Sequence, residues 1–148
     1  MSMLDVESWI DVIRSGALDG LASLNGSDSI DVMKKYAQRG NVHRTRLFAI
    51  KNLGMYGKGR KDVLDTLVEL TDDKFALVQI AAVKALAEIA DERAIPVLEK
   101  LITGGKFDRL KRAAEDSIKH IYPWLDTDIE SYRISEEVKK KMQEKNKP

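Results

Sequence analysis

The chain has 148 residues, of which 43% are hydrophobic and 33% are charged, and its formal net charge is +1. This composition predicts a folded, well-solvated protein, excludes an intrinsically disordered one and gives no overall drive towards nucleic acid or anionic lipid. No cysteine is present, which excludes disulfides, thiolate zinc sites and cysteine nucleophiles. The acidic N-terminus lacks a signal-peptide core, and no apolar run approaches the roughly 20 residues that span a bilayer, so we expect a cytoplasmic protein without a membrane partner.

A repeated helical pattern runs through most of the chain. Alanines recur at intervals of 32, 33 and 32 residues, at Ala17, Ala49, Ala82 and Ala114. Apolar residues follow each alanine at i+4, namely Leu21, Leu53, Leu86 and Ile118, and residues at i+7 keep the same step, namely Leu24, Tyr56, Ile89 and Ile121. A polar or basic residue stands three positions before each alanine, at Arg14, Arg46, Gln79 and Lys111. Because positions i, i+4 and i+7 share one helical face, each unit opens with an amphipathic helix.

A second helix is predicted in each unit, after a short polar break. Its apolar stripe is Ile30, Met33 and Ala37 in the first unit, Val63, Leu67 and Leu70 in the second, and Ile95, Leu98, Leu101 and Ile102 in the third. Gly26 and Gly57 are predicted to end the preceding helices in left-handed turns, and Ser27 and Asp91 to cap the following ones. Pro96 fits the first turn of its helix. No segment alternates with period two, so we predict no strands.

These units predict an all-α fold, an α–α superhelix or solenoid of about three and a half helical hairpins. The hairpins occupy residues 1–125, with units near 8–40, 43–73, 75–105 and 107–125. Residues 126–148 then form a C-terminal helix and a solvated tail, with a capping box at Thr127 and Glu130 and a helix over 135–144. Tyr122 and Trp124 are predicted to seal the end of the stack.

One feature of the sequence, a block of basic residues, indicates a possible binding site. His43 and His120 have no metal spacing, and nucleophile, phosphate-loop and dinucleotide motifs are absent. Between Lys34 and Lys61, however, there are nine lysines or arginines and no acid. This block is either a solvated patch balanced by neighbouring acids or a docking surface for a partner domain, a peptide carboxylate or nucleic acid. Its few aromatic residues argue against a base-stacking platform.

The units resemble HEAT repeats, in which "AIPVLEKLI" is a common type of second helix. More narrowly, "VIRSGALDGLASLNGSDSIDVMKKYAQRG", "HRTRLFAIKNLGMYGKGRKDVLDTLVEL" and "DRLKRAAEDSIKHI" resemble the helical C-terminal region of microbial zinc aminopeptidases of the alanyl-aminopeptidase family. The resemblance implies a non-catalytic domain that packs on a catalytic domain and gates peptide access.

The same resemblance implies which functional residues this chain would supply to such an enzyme. The family's "HExxH…E" and "GxMEN" motifs do not occur here, so no catalytic residue, metal ligand or cofactor is expected in this chain, and zinc would belong to the parent catalytic domain. Basic residues would contact an acidic partner or the peptide substrate's carboxylate, and Arg44, Arg46 and Lys51 are the candidates. The alternatives are a free-standing HEAT scaffold that holds a protein partner and, less favoured, a HEAT-type nucleic-acid-binding protein.

Overall fold

The computed structural model describes residues 26–104 and 106–122, together with positions 12, 13, 16, 17, 20 and 140. The helices in the two continuous ranges are α1 (Gly26–Ala37), α2 (His43–Tyr56), α3 (Lys61–Leu70), α4 (Ala76–Ile89), α5 (Ile95–Thr103) and α6 (Asp108–Ile121), with one 3₁₀ turn at Glu92–Ala94. No strand occurs among these residues, which confirms the all-α prediction. None of the described helices is long and apolar enough to cross a membrane.

The turns between the helices agree with the predicted roles of Asp91 and Pro96 and differ from the predicted roles of two glycines. Asp91 accepts a hydrogen bond from the Arg93 N–H at 2.9 Å and so caps the 3₁₀ turn, and Pro96 lies at the start of α5, both as predicted. Gly57 was predicted to be left-handed but has φ −90°, and a Cβ there would lie 2.5 Å from Val63 Cγ1, so close packing explains this glycine. Gly57 does end α2, as predicted, whereas Gly26 is the first residue of α1.

The helices form two rows. In the row made by α2, α4 and α6, each helix packs closely on the next, whereas the contacts within the row made by α1, α3 and α5 are loose. The closer row lies on the inside of a curved repeat array, so we call it the inner row and the other the outer row. Each outer helix also packs on the inner helix that follows it, giving the hairpins α1–α2, α3–α4 and α5–α6. The predicted units instead paired each inner helix with the outer helix that follows it, so the observed hairpins are shifted by one helix.

Most of the predicted core positions in the described units are buried. Ala49, Ala82 and Ala114 are fully buried, and so are Leu53, Leu86 and Ile118, one helical turn further on. The predicted stripes of α1, α3 and α5 are buried as well and belong to the same hydrophobic cluster. Each buried Leu or Ile contributes roughly 1.5–3 kcal/mol relative to leaving it exposed, so the hairpins share one continuous interior.

Two positions depart from the repeat pattern. Ala17 is exposed rather than buried, so the first predicted unit does not share the burial of Ala49, Ala82 and Ala114. Tyr56 was predicted in the core but is 45% exposed. It is the last residue of α2, where its hydroxyl can remain in water while its ring covers apolar surface.

Tyr122 follows α6 directly, at the end of the continuously described residues. The side chain is 5% exposed, consistent with the predicted sealing role. Burial, together with the nearby carboxylate of Glu92, raises the pKa of Tyr122 to about 12. Trp124, the capping box at Thr127 and Glu130, and the positions Leu21 and Leu24 lie outside the described residues. Of the predicted helix over 135–144, only Lys140 is described, and it is helical and exposed.

Candidate partner-binding site

The three basic residues singled out from the sequence lie on α2, but not on one face. Arg44 and Lys51 are exposed, whereas the side chain of Arg46 is only 1% exposed. The spacing explains the difference. At 3.6 residues per turn, a separation of seven residues returns to nearly the same direction, while a separation of two points to the opposite side. The structure therefore brings Arg44 and Lys51 together on the inner-row surface and removes Arg46 from the candidate contacts.

Arg46 instead forms a buried ion pair with Asp73, which is also 1% exposed. Its guanidinium donates to both carboxylate oxygens of Asp73, with Nη2–Oδ2 at 2.6 Å and Nη1–Oδ1 at 3.2 Å. The Nε–H donates to the carbonyl of Ala37, the last residue of α1, at 2.9 Å. This one side chain thus joins the end of α1 to the turn after α3, and its role is structural.

The electrostatics of Asp73 support this role. Burial raises the pKa of the Asp73 carboxyl, but hydrogen bonds from Arg46 and from the Phe75 N–H outweigh burial, and the net effect lowers the pKa. Asp73 therefore stays ionised and paired at neutral pH. The exposed guanidinium of Arg39 adds a weaker contact, with Nε 3.5 Å from Oδ2.

Other members of the basic block are also neutralised. Lys34 Nζ lies 3.1 Å from Asp62 Oδ2, and Arg60 Nη2 lies 2.8 Å from the same oxygen and 3.6 Å from Asp31 Oδ1. The hydrogen bond from Arg60 is the main reason that the pKa of Asp62 falls well below its ordinary value, with Lys34 adding to the effect against the opposing cost of burial. This part of the basic block, between α1 and α3, is therefore a solvated patch whose charges are balanced by neighbouring acids.

A groove between α2 and α4 carries the remaining charge on the inner row. It has a volume of about 420 Å³, and the following residues line it: Lys51, Met55, Ala81, Lys84, Ala85 and Glu88. Lys51 and Lys84 occupy equivalent positions of successive repeats, 33 residues apart. Within the described ranges, neither lysine has an ion-pair partner. Met55 is 53% exposed, so this α2–α4 groove combines two free ammonium groups with an accessible apolar surface.

The floor of the α2–α4 groove depends on a close helix–helix contact. Gly54 faces Ala85, and a Cβ at Gly54 would lie 2.9 Å from both the Cα and the Cβ of Ala85. Glycine therefore lets α2 and α4 approach more closely than a larger residue would allow. Gly54 lies inside α2 rather than at its end.

The described residues include both histidines of the sequence. They contain no group of three His, Cys, Asp or Glu side chains arranged to hold a metal ion. His43 packs edge-on against Phe75 with ring centroids 3.8 Å apart, and His120 is exposed on α6. The two histidines therefore have a packing contact and a surface position, respectively.

The fold and this surface together define a helical-repeat protein with an accessible inner face. A family model described as "HEAT repeats" matches residues 43–119, from the start of α2 to near the end of α6. Since the match covers more than half of the chain, the chain belongs to the HEAT repeat family. No curated protein matches the chain.

Proposed function

We propose that the chain is a non-catalytic interaction scaffold that binds a protein partner on its inner row. HEAT repeats form helical scaffolds for protein interaction, and the observation that carries the proposal is the α2–α4 groove. A free apolar surface next to charged side chains without partners is a feature of protein contact sites. The outer row presents no equivalent arrangement of exposed apolar residues in the part of the chain that the structure describes.

Photo-crosslinking in the native cell tests the choice of face. A photoreactive amino acid replaces Met55 on the inner row in one variant and Glu69, an exposed residue of α3, in the matched control. We expect a discrete protein adduct from position 55 and none from position 69. The same adducts from both positions, or none from either, would reject the proposed contact face.

We also propose, on the sequence resemblance alone, that the partner is the catalytic domain of a zinc aminopeptidase in the same polypeptide. In that setting the solenoid would pack on the catalytic domain and gate peptide access, and Arg44 and Lys51 would attract the peptide's C-terminal carboxylate. The resemblance implies that zinc would be held by the catalytic domain.

The genomic context separates this narrower proposal from a free-standing scaffold. An open reading frame upstream of Met1 that contains "HExxH" would support the aminopeptidase proposal, and a stop codon immediately upstream would reject it. If the parent enzyme exists, Arg44→Ala and Lys51→Ala should raise KM for peptides with a free carboxylate, with peptide amides as the control substrates. Unchanged KM and kcat in both variants would exclude contact with substrate.

A further inference from the structure

We propose that the α2–α4 groove binds an acidic, amphipathic segment of a protein partner. This inference rests on the proposed function and specifies the chemistry of the partner. It is carried by the juxtaposition of Lys51 and Lys84, both without ion pairs among the described residues, with the exposed side chain of Met55 and the alanines of α4.

The two lysines define the charge of the partner. They are exposed side chains on neighbouring parallel positions of successive repeats, and Arg44 adds a third exposed cation two turns earlier on the same face of α2. In contrast, Lys34 and Arg60 are already paired with Asp62. Electrostatic complementarity steers association and fixes register, so the unpaired cations favour carboxylates on the bound segment.

The apolar surface defines the second requirement. Met55 lies four residues after Lys51 on α2, which is about 6 Å along the helix axis. Ala81 and Ala85 form the opposite wall, where small side chains leave room for a larger apolar group. Methionine adapts its shape to different apolar partners. A partner helix with a carboxylate and a Leu-like side chain four residues apart matches this spacing.

The carboxylate of Glu88 disfavours binding of a continuous polyanion such as nucleic acid. It lies at the same groove, at the position in α4 equivalent to Met55 in α2. A continuous phosphate backbone that passed both lysines would also meet this carboxylate, and no aromatic side chain lines the groove to stack on a base. Single-stranded nucleic acid binding depends on stacking platforms of that kind. The combination therefore favours a protein segment with separated charges over nucleic acid.

Peptide binding to the full-length chain tests the inference directly. The probe is a fluorescein-labelled synthetic helix with leucine and glutamate four residues apart. One control peptide has lysine in place of each glutamate, and the other has serine in place of each leucine. We expect binding of the first peptide only, weakened by added salt, with amide shifts in NMR spectra centred on Lys51, Met55 and Lys84. Equal binding of the lysine peptide, or preferential binding of a single-stranded oligonucleotide or a fatty acid, would overturn the inference.

Charge reversal supplies the matched comparison. The double variant K51E/K84E should weaken peptide binding by more than about tenfold, because like charges then face each other. The control K35E/K100E makes the same change of net charge on exposed residues of the outer row and should leave binding within about twofold. Equal loss in both variants, or no loss in either, would overturn the inference.

The proposed scaffold function and the acidic-segment inference can be rejected separately. Crosslinking at position 55 to a partner whose contact segment lacks acidic residues would reject the acidic-segment inference and leave the scaffold function standing. Self-association of the chain through the groove, detected by sedimentation velocity and abolished by K51E/K84E, would assign the groove to a second copy and reject the inference as well. Absence of any crosslink at position 55 would reject both.

Discussion

Replacing Arg46 with methionine should severely destabilise the fold, although on sequence alone this residue is one of the candidate partner contacts. The substitution leaves Asp73, which is 1% exposed, as a buried charge without its main partner. Breaking a buried pair in this way costs about 3–5 kcal/mol. With a urea dependence of about 1–3 kcal/mol per molar, the unfolding midpoint should fall by roughly 2 M.

The pH dependence separates charge from packing. In the wild type the pKa of Asp73 is lowered, so the pair contributes stability above the unfolded pKa, about 3.9, and loses it as the pH falls through the folded value. In Arg46→Met, burial dominates and raises the pKa of Asp73, so protonation relieves the penalty as the pH falls. The stability gap between wild type and variant should therefore narrow between pH 7 and pH 4.

Two further variants complete the test. Arg46→Met with Asp73→Asn should recover much of the lost stability, because the amide oxygen can still accept from the Phe75 N–H and no charge is buried. Arg39→Met is the control, since Arg39 is 72% exposed, and it should cost less than about 1 kcal/mol. A loss for Arg46→Met that is small, or that is independent of pH and of Asp73→Asn, would refute the ion-pair argument.

The remaining predictions concern packing and backbone conformation. Gly54→Ala should destabilise the fold by about 1–3 kcal/mol in denaturant melts through contact with Ala85, and Ala85→Gly should restore at most part of this loss, because the Ala85 Cα also lies 2.9 Å from the added Cβ; an unchanged melt would refute the close approach. Ala90 has a left-handed backbone conformation, with φ 54°, which glycine adopts at lower cost than alanine. Ala90→Gly should therefore raise the free energy of unfolding by up to about 1 kcal/mol, and a lower melting temperature would contradict the left-handed turn. Leu86→Ala should cost about 2–5 kcal/mol, while Leu77→Ala, at a residue that is 55% exposed, should cost far less; equal losses would remove Leu86 from the core.

The fold was largely predictable because its burial follows helical periodicity. Ala82, Leu86 and Ile89 share one face by spacing alone, and all three are buried. The phase of the hairpins was not predictable, because all the connections are short and the sequence does not say which neighbouring helix packs more closely. That choice is made by tertiary contacts such as the hydrogen bond from Arg46 to the Ala37 carbonyl, which joins α2 to α1.

The site was predictable only in part. Spacing of seven residues correctly groups Arg44 with Lys51, and the same arithmetic separates Arg46, so its burial had a signal in the sequence. Lys84 was missed because it lies outside the basic block, although its 33-residue offset from Lys51 places it at the equivalent position of the next repeat. Met55 had no such signal, since helix position alone does not show that a groove opens beside it.

Differential lysine labelling of the purified complex tests the contact face most directly. An amine-reactive reagent is applied to the free chain and to the chain bound to the partner captured at position 55, and modification is quantified by mass spectrometry. The account predicts that Lys51 and Lys84 become protected while the exposed lysines Lys35 and Lys100 react as before. Protection of Lys35 and Lys100, with Lys51 and Lys84 still reactive, would contradict it.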